Sequence, residues 1–283
     1  MTIISLIGAV ILVGFTGRTY FYLDEPLFLK SDQAKSPLKS GEQNERYQIK
    51  LSYLTNAEET KRIGNIDFPE NPNIRLDSSS RTLIDELENT QAIRNQKHFD
   101  IYRLREVFVS VRDYSDEYDH TDNVLRKATI YFTDGSETHV DLGEIHLNHN
   151  EKREGPLELY STILFDGVLE NKFEVAKKVT LTDTNMNQLT DYEGLLDIQI
   201  DGVPISEAEG MTFSPESTVM ITSEMKSSKN RLTEFTQIDF TIEATFADEE
   251  GNKFTQQISS VINEENDYGF WDVHDYIKIR GEE

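Results

Sequence analysis

Cysteine is absent from the 283 residues. That excludes disulfides, thiolate-ligated zinc, iron–sulfur clusters, thiol nucleophiles and a lipid-modified N-terminal cysteine. Whatever folds here must be held by its core alone. Asn-x-Ser/Thr acceptors are missing as well. The two absences together fit a bacterial surface protein better than a eukaryotic secreted one. Catalytic signatures are equally scarce: there is no GxSxG, no HExxH, no phosphate loop and no GxGxxG after a strand. Nothing picks a catalytic pair out of the many carboxylates, so the chain reads as non-enzymatic. Basic charge is short too. Lys and Arg number 28 against 52 Asp and Glu, a net of −24. A field of that sign repels nucleic acid, which is excluded as a partner, and also anionic lipid headgroups.

Charge is missing altogether between Ile3 and Phe15. With its flanks this run approaches the roughly 17–25 residues of a spanning helix. No Lys or Arg precedes it, and Phe15 stands where a signal-peptidase site wants a small residue. Residues 1–23 are therefore expected to be an uncleaved transmembrane anchor, with Tyr20 and Tyr22 at the membrane interface. Arg18, Lys30, Lys35 and Lys39 all follow the run. Read literally, the positive-inside rule would keep the large domain in the cytoplasm as a tethered regulator. A strand-rich, acidic, cysteine-free module behind one anchor points instead to export. The expectation is a single-pass cell-membrane protein with its large domain outside. Residues 24–45, rich in Ser, Lys and polar residues, read as a flexible stalk.

What is present beyond that is period-two alternation, the mark of half-buried strands. Tyr47, Ile49, Leu51 and Tyr53 alternate, as do Val107, Val109 and Val111, and Ala128, Ile130 and Phe132. The clearest run is Ile238, Phe240, Ile242, Ala244 and Phe246. Asp134-Gly135 and the stretch Asp248–Gly251 are tight-turn signals between strands. Ser79-Ser80 caps a helix near 80–96, with Leu83, Ile84 and Leu87 on its apolar face. Leu157, Leu159, Ile163 and Phe165 read as further core-facing strand, and Tyr276, Ile277 and Ile279 as a last strand. The polar segment His149–Gly155 divides the chain. The expected fold is mainly β, with a transmembrane helix followed by two antiparallel β-sandwich (Ig-like) domains, 46–150 with the inserted helix and 156–283. Residues 107–142 and 218–260 also share an order of strand, acidic loop, strand and turn. Ala-Thr precedes the turn in both, which suggests an internal repeat.

Site candidates are few. Asp183, Asn185, Asn187, Asp191 and Glu193 have the residue types of a calcium loop, although Gln188 stands where the loop needs glycine. Calcium is the cation these oxygens would take, and Trp271 would then serve glycan recognition. Asp113, Asp116, Glu117, Asp119 and Asp122 crowd one acidic loop that could meet a basic partner. Trp271 sits in an aromatic cluster with Tyr268, Phe270 and Tyr276, of a kind that either anchors a partner or lids a core. The function these features support is an interaction or accessory module of the bacterial envelope, partnered by the membrane through residues 1–23 and by a protein. The alternatives are calcium-dependent ligand or glycan binding and tethered regulation in the cytoplasm.

Overall fold

Most of the alternating runs in the sequence pair into ladders. The computed structural model describes residues 21–35, 46–77, 97–99, 101–114, 123–148, 155–192, 194–263 and 268–281. The first half carries β1 (Leu27–Phe28), β2 (Ser31–Lys35), β3 (Arg46–Asn56), β4 (Ile63–Asp67), β5 (Ile74–Leu76), β6 (Lys97–Phe99), β7 (Tyr102–Asp113), β8 (Asn123–Phe132) and β9 (Glu137–Leu147). The second half carries β10 (Leu157–Phe165), β11 (Val168–Val175), β12 (Val179–Thr184), β13 (Leu196–Ile200), β14 (Val203–Pro204), β15 (Thr212–Phe213), β16 (Thr218–Met225), β17 (Gln237–Asp248) and β18 (Lys253–Ile262). Two helices lie near the C-terminal end, α1 (Arg231–Phe235) and α2 (Phe270–Gly281). The chain is mainly β, in several sheets. The anchor expected at 1–23 falls almost wholly outside the described residues, as does the helix expected at 80–96. Among the described residues no helix is long and apolar enough to cross a membrane.

One sheet runs β1-β3-β7-β5, with β6 also on β7, and a second runs β10-β11-β16-β13-β14. The third runs β15-β12-β17-β2-β9-β8-β4, with β18 beside β17, and so contains strands of both halves. The two halves repeat. β4 pairs with β8 from Ile63 opposite Phe132, and β12 pairs with β17 from Val179 opposite Asp248. The same number of residues separates Ile63 from Val179 as separates Phe132 from Asp248. The turns match too. Phe132 N–H donates to the Ser136 carbonyl and Gly135 N–H to Phe132; Asp248 N–H donates to Asn252 and Gly251 N–H to Asp248. Four residues before each turn, Ala128 and Ala244 are buried, and the next residues, Thr129 and Thr245, each bond across the hairpin to His139 and Thr255 at 3.0 Å.

The stalk expected at 24–45 needs correction as far as Lys35, while 36–45 lie outside the described residues. Ser31–Lys35 is not a tether but, among the described residues, the one strand that runs parallel to its neighbours, between β9 and β17. Composition misleads here because the strand is polar. Of its two buried polar side chains, Ser31 and Gln33, the longer is paid for in hydrogen bonds. Gln33 donates to the Lys50 carbonyl at 2.8 Å and accepts from the Lys50 N–H, tying β2 to β3 in the facing sheet. Lys35 forms an ion pair with Asp239 of β17. Just upstream, β1 pairs with β3, so one short segment serves both layers of the first half before it joins the second.

The last strand expected at Tyr276–Ile279 is also corrected: α2 occupies it. Phe270, Val273, Tyr276 and Ile277 recur every three or four residues, a helical spacing that a four-residue window cannot tell from alternation. The helix closes a third core, shared with Leu29, Leu54, Phe99, Tyr102, Leu104 and Phe235. Phe235 stacks between Tyr268 and Tyr276, at 4.0 and 4.5 Å between ring centroids.

The second turn carries a pH prediction. The Asp248 carboxylate accepts from the Glu250 and Asn252 N–H groups, from the Asn252 side chain and from Lys177. Partial desolvation pushes its pKa up, but the Asn252 and Lys177 hydrogen bonds and the Lys177 charge outweigh it, and the pKa falls from 3.8 to about 2. A depressed carboxylate stabilises the fold above its unfolded value and loses that contribution as pH drops through its folded one. Asp248→Asn is therefore expected to melt lower than wild type above about pH 4. The two melting curves should converge as pH approaches 2, in thermal scans followed by circular dichroism.

Candidate interaction surface

β10 begins as the sequence suggests and then departs from it. Leu157 is buried opposite Val175. The rest of its apolar side chains are not. Leu159 (59%), Tyr160 (77%), Ile163 (49%), Leu164 (68%) and Phe165 (77%) are all exposed. Leu159, Ile163 and Phe165, expected in a core, stand in solvent instead. β10 ends its sheet, and among the described residues no strand pairs with its outer edge. A bulge between Leu159 and Ser161 leaves Tyr160 without a cross-strand partner, and bulges re-aim the side chains they carry.

Near the turn the β10 arm of the hairpin is exposed on both faces, while β11 is half-buried. Thr162 lies opposite Asn171, whose amide reaches across to the Ile258 carbonyl of the facing sheet at 3.1 Å. Leu164 and Leu169 share that inward side, yet Leu164 is open, so the hairpin overhangs the sheet it should pack on. Ile163 and Phe165 line the outward side. Asp166 and Gly167 both take positive φ, 51° and 77°, the backbone of a two-residue turn that follows strand twist. Glu158, Asp166 and the Lys172–Glu170 pair at 2.8 Å give the apolar strip a polar rim. Contiguous exposed apolar side chains with such a rim mark an interaction site. An unguarded edge of this kind invites strand addition.

The sequence carried a legible signal. In Leu157–Phe165 the apolar residues occupy both alternating sets, and no Lys or Pro guards the strand. A strand apolar on both faces belongs either in a doubly covered sheet or at an interface.

The other sequence candidates are scattered. Asp183 is exposed at the end of β12 and accepts from the Thr184 N–H at 2.8 Å. Asn185 opens a short 3-10 segment, Asn185–Tyr192. Its amide is engaged at both ends, donating to the Thr241 carbonyl and accepting from the Glu243 N–H, each at 2.9 Å. Its oxygen thus holds this loop to β17. The side chains of Asn187 and Asp191, and all of Glu193, lie outside what is described. Among the described residues no three His, Asp or Glu side chains gather as a metal site would require. Asp113, expected on an open acidic loop, is buried at 3% exposure and accepts from the Asn123 amide at 2.7 Å. Asp116, Glu117, Asp119 and Asp122 lie outside the described residues. Trp271 is 66% exposed on α2, while its cluster partner Tyr276 is buried.

No protein-family model matches the chain, and no curated protein does. Solved structures with some likeness include a CupB2 chaperone of Pseudomonas aeruginosa, at 9% identity over 81% of this chain and 98% of that one. The D00-D0 domain of intimin is 10% identical over 85% of this chain and all of its own. An alpha-L-rhamnosidase from Dictyoglumus thermophilum is 10% identical over 83% of this chain and 29% of its own. Each has a TM-score of 0.21, and nothing about activity or partners follows from any of them.

Proposed function

We propose that this chain is a non-enzymatic interaction module of the bacterial envelope. In this reading residues 1–23 hold it in the cell membrane, and two related Ig-like β-sandwiches stand outside. The hairpin β10–β11 meets a protein partner. The repeat of strand pairing and turn geometry supports the two-sandwich description. The exposed apolar strip on β10 carries the functional one. Partner strand atoms would bond the open edge of β10, and Tyr160, Leu164 and Phe165 would fill apolar pockets, the arrangement in which buried aromatic anchors dominate affinity.

The test is site-specific photo-crosslinking in intact cells. A crosslinker at Tyr160 is expected to capture one discrete species, and one at exposed Gln257 on β18 none. Leu164→Glu should abolish the Tyr160 product while changing stability by no more than about 0.5 kcal/mol, as surface substitutions do. A hot-spot loss of about 2 kcal/mol, nearly thirtyfold in affinity, is the expected scale. Equal capture at both positions, or none at Tyr160, would rule out the hairpin. Protease shaving of the same cells reads sidedness: an external domain is digested, a cytoplasmic one survives.

A further inference from the structure

Where the N-terminal segment leaves the body is fixed by geometry. Asn56 clasps Leu23 at both backbone groups, accepting its N–H at 2.9 Å and donating to its carbonyl at 2.7 Å. Two residues earlier, the Phe21 ring packs edge-on against Phe270, Trp271 and His274 of α2, at centroid distances of 5.7, 6.5 and 4.7 Å. The described chain therefore enters the folded body at Phe21, beside the first turn of α2. That is also where the two most water-facing aromatics of this end stand, Trp271 and Tyr22, the latter 49% exposed. The helix itself cannot tilt away. Arg231 of α1 bonds Asp272 at 2.8 Å, and the Tyr268 hydroxyl donates to the Glu234 carbonyl at 2.8 Å.

We propose that α2 is a bilayer seat: with Tyr22 beside it, Trp271 enters the headgroup layer and holds the folded body against the membrane. The inference rests on the reading of residues 1–23 as an anchor. Trp and Tyr prefer that layer because one part of the ring system is apolar and the other can hydrogen-bond. Lys278, exposed two turns along from Trp271, lies on the same side of the helix and can reach lipid phosphates. Asp275 lies between them and stays in the hydrated outer part of the layer. A body seated in this way does not sway on a tether.

Trp271 is the only tryptophan of the chain, so its emission reports this contact alone. The experiment uses the full-length chain in phosphatidylcholine vesicles, chosen because the net charge of −24 repels anionic surfaces. Lipids brominated near the headgroup are compared with lipids brominated deep in the acyl chain, and with iodide in the water. Seating predicts a blue-shifted emission, loss of intensity with shallow bromines, and protection from iodide. Co-flotation with iodide-quenched, bromine-insensitive Trp271 would overturn the seat and leave the anchor standing. Failure to co-float would overturn the anchor, and the seat with it.

Discussion

A chain that starts at residue 36 is expected not to fold cooperatively, whereas one that starts at residue 21 is. The deletion removes β1 and β2. Phe28 and Leu29 leave two cores, each worth about 1.5–3 kcal/mol of burial. The parallel ladders of β2 with β9 and β17 go as well, at about 1 kcal/mol per hydrogen bond. Lys50 keeps its backbone groups but loses Gln33. The sum reaches the entire stability of an ordinary domain, about 5–15 kcal/mol. Were residues 24–45 only a stalk, the shorter chain would melt like the longer one. Urea titration followed by near-ultraviolet circular dichroism separates the two: a sloping, midpoint-free curve for 36–283 against a sigmoid for 21–283.

The second large effect is a single methyl group. Gly143 pairs with Ser31 at φ +83°, and a Cβ placed there would lie 2.3 Å from the Ser31 carbonyl oxygen and 3.0 Å from its nitrogen. Both atoms are backbone, so no rotamer relieves the clash. Gly251 has nearly the same φ, +82°, with nothing within 4 Å of a Cβ. Gly251→Ala should therefore cost only the left-handed penalty, about 1–2 kcal/mol. Gly143→Ala should cost that and a displaced strand, about 3 kcal/mol or more in total. Equal costs in urea denaturation would show that the contact between β9 and β2 yields easily.

Legibility followed covalent and local rules. Alternation at Tyr47–Tyr53 and Ile238–Phe246 put the right residues inside, because a ladder buried on one face leaves a period of two. Asp134-Gly135 and Asp248–Gly251 turned the chain where expected. Gln33 could not be read: its hydrogen-bond partner is brought up by the fold, and no composition rule tells a satisfied buried amide from a solvated one. The helix α2 hid behind a short window. The exposure of β10 was half legible. Its two-sided apolarity was visible, but whether a second sheet covers it is a fact of tertiary structure. Asn185 looked like a ligand because the same side-chain chemistry serves cations and backbone alike.

Because β2 lies within the sheet, a pull on the N-terminal side that has freed Leu23 from Asn56 and β1 from β3 acts along the strand. Its bonds to β9 on one side and β17 on the other then resist in shear, all loaded together, instead of opening one after another like a zipper. A splice of this kind lets mechanical strain pass into both halves of the molecule at once, and a force spectrometer gripping residue 21 and the C-terminal end would record one high rupture event in place of two low ones.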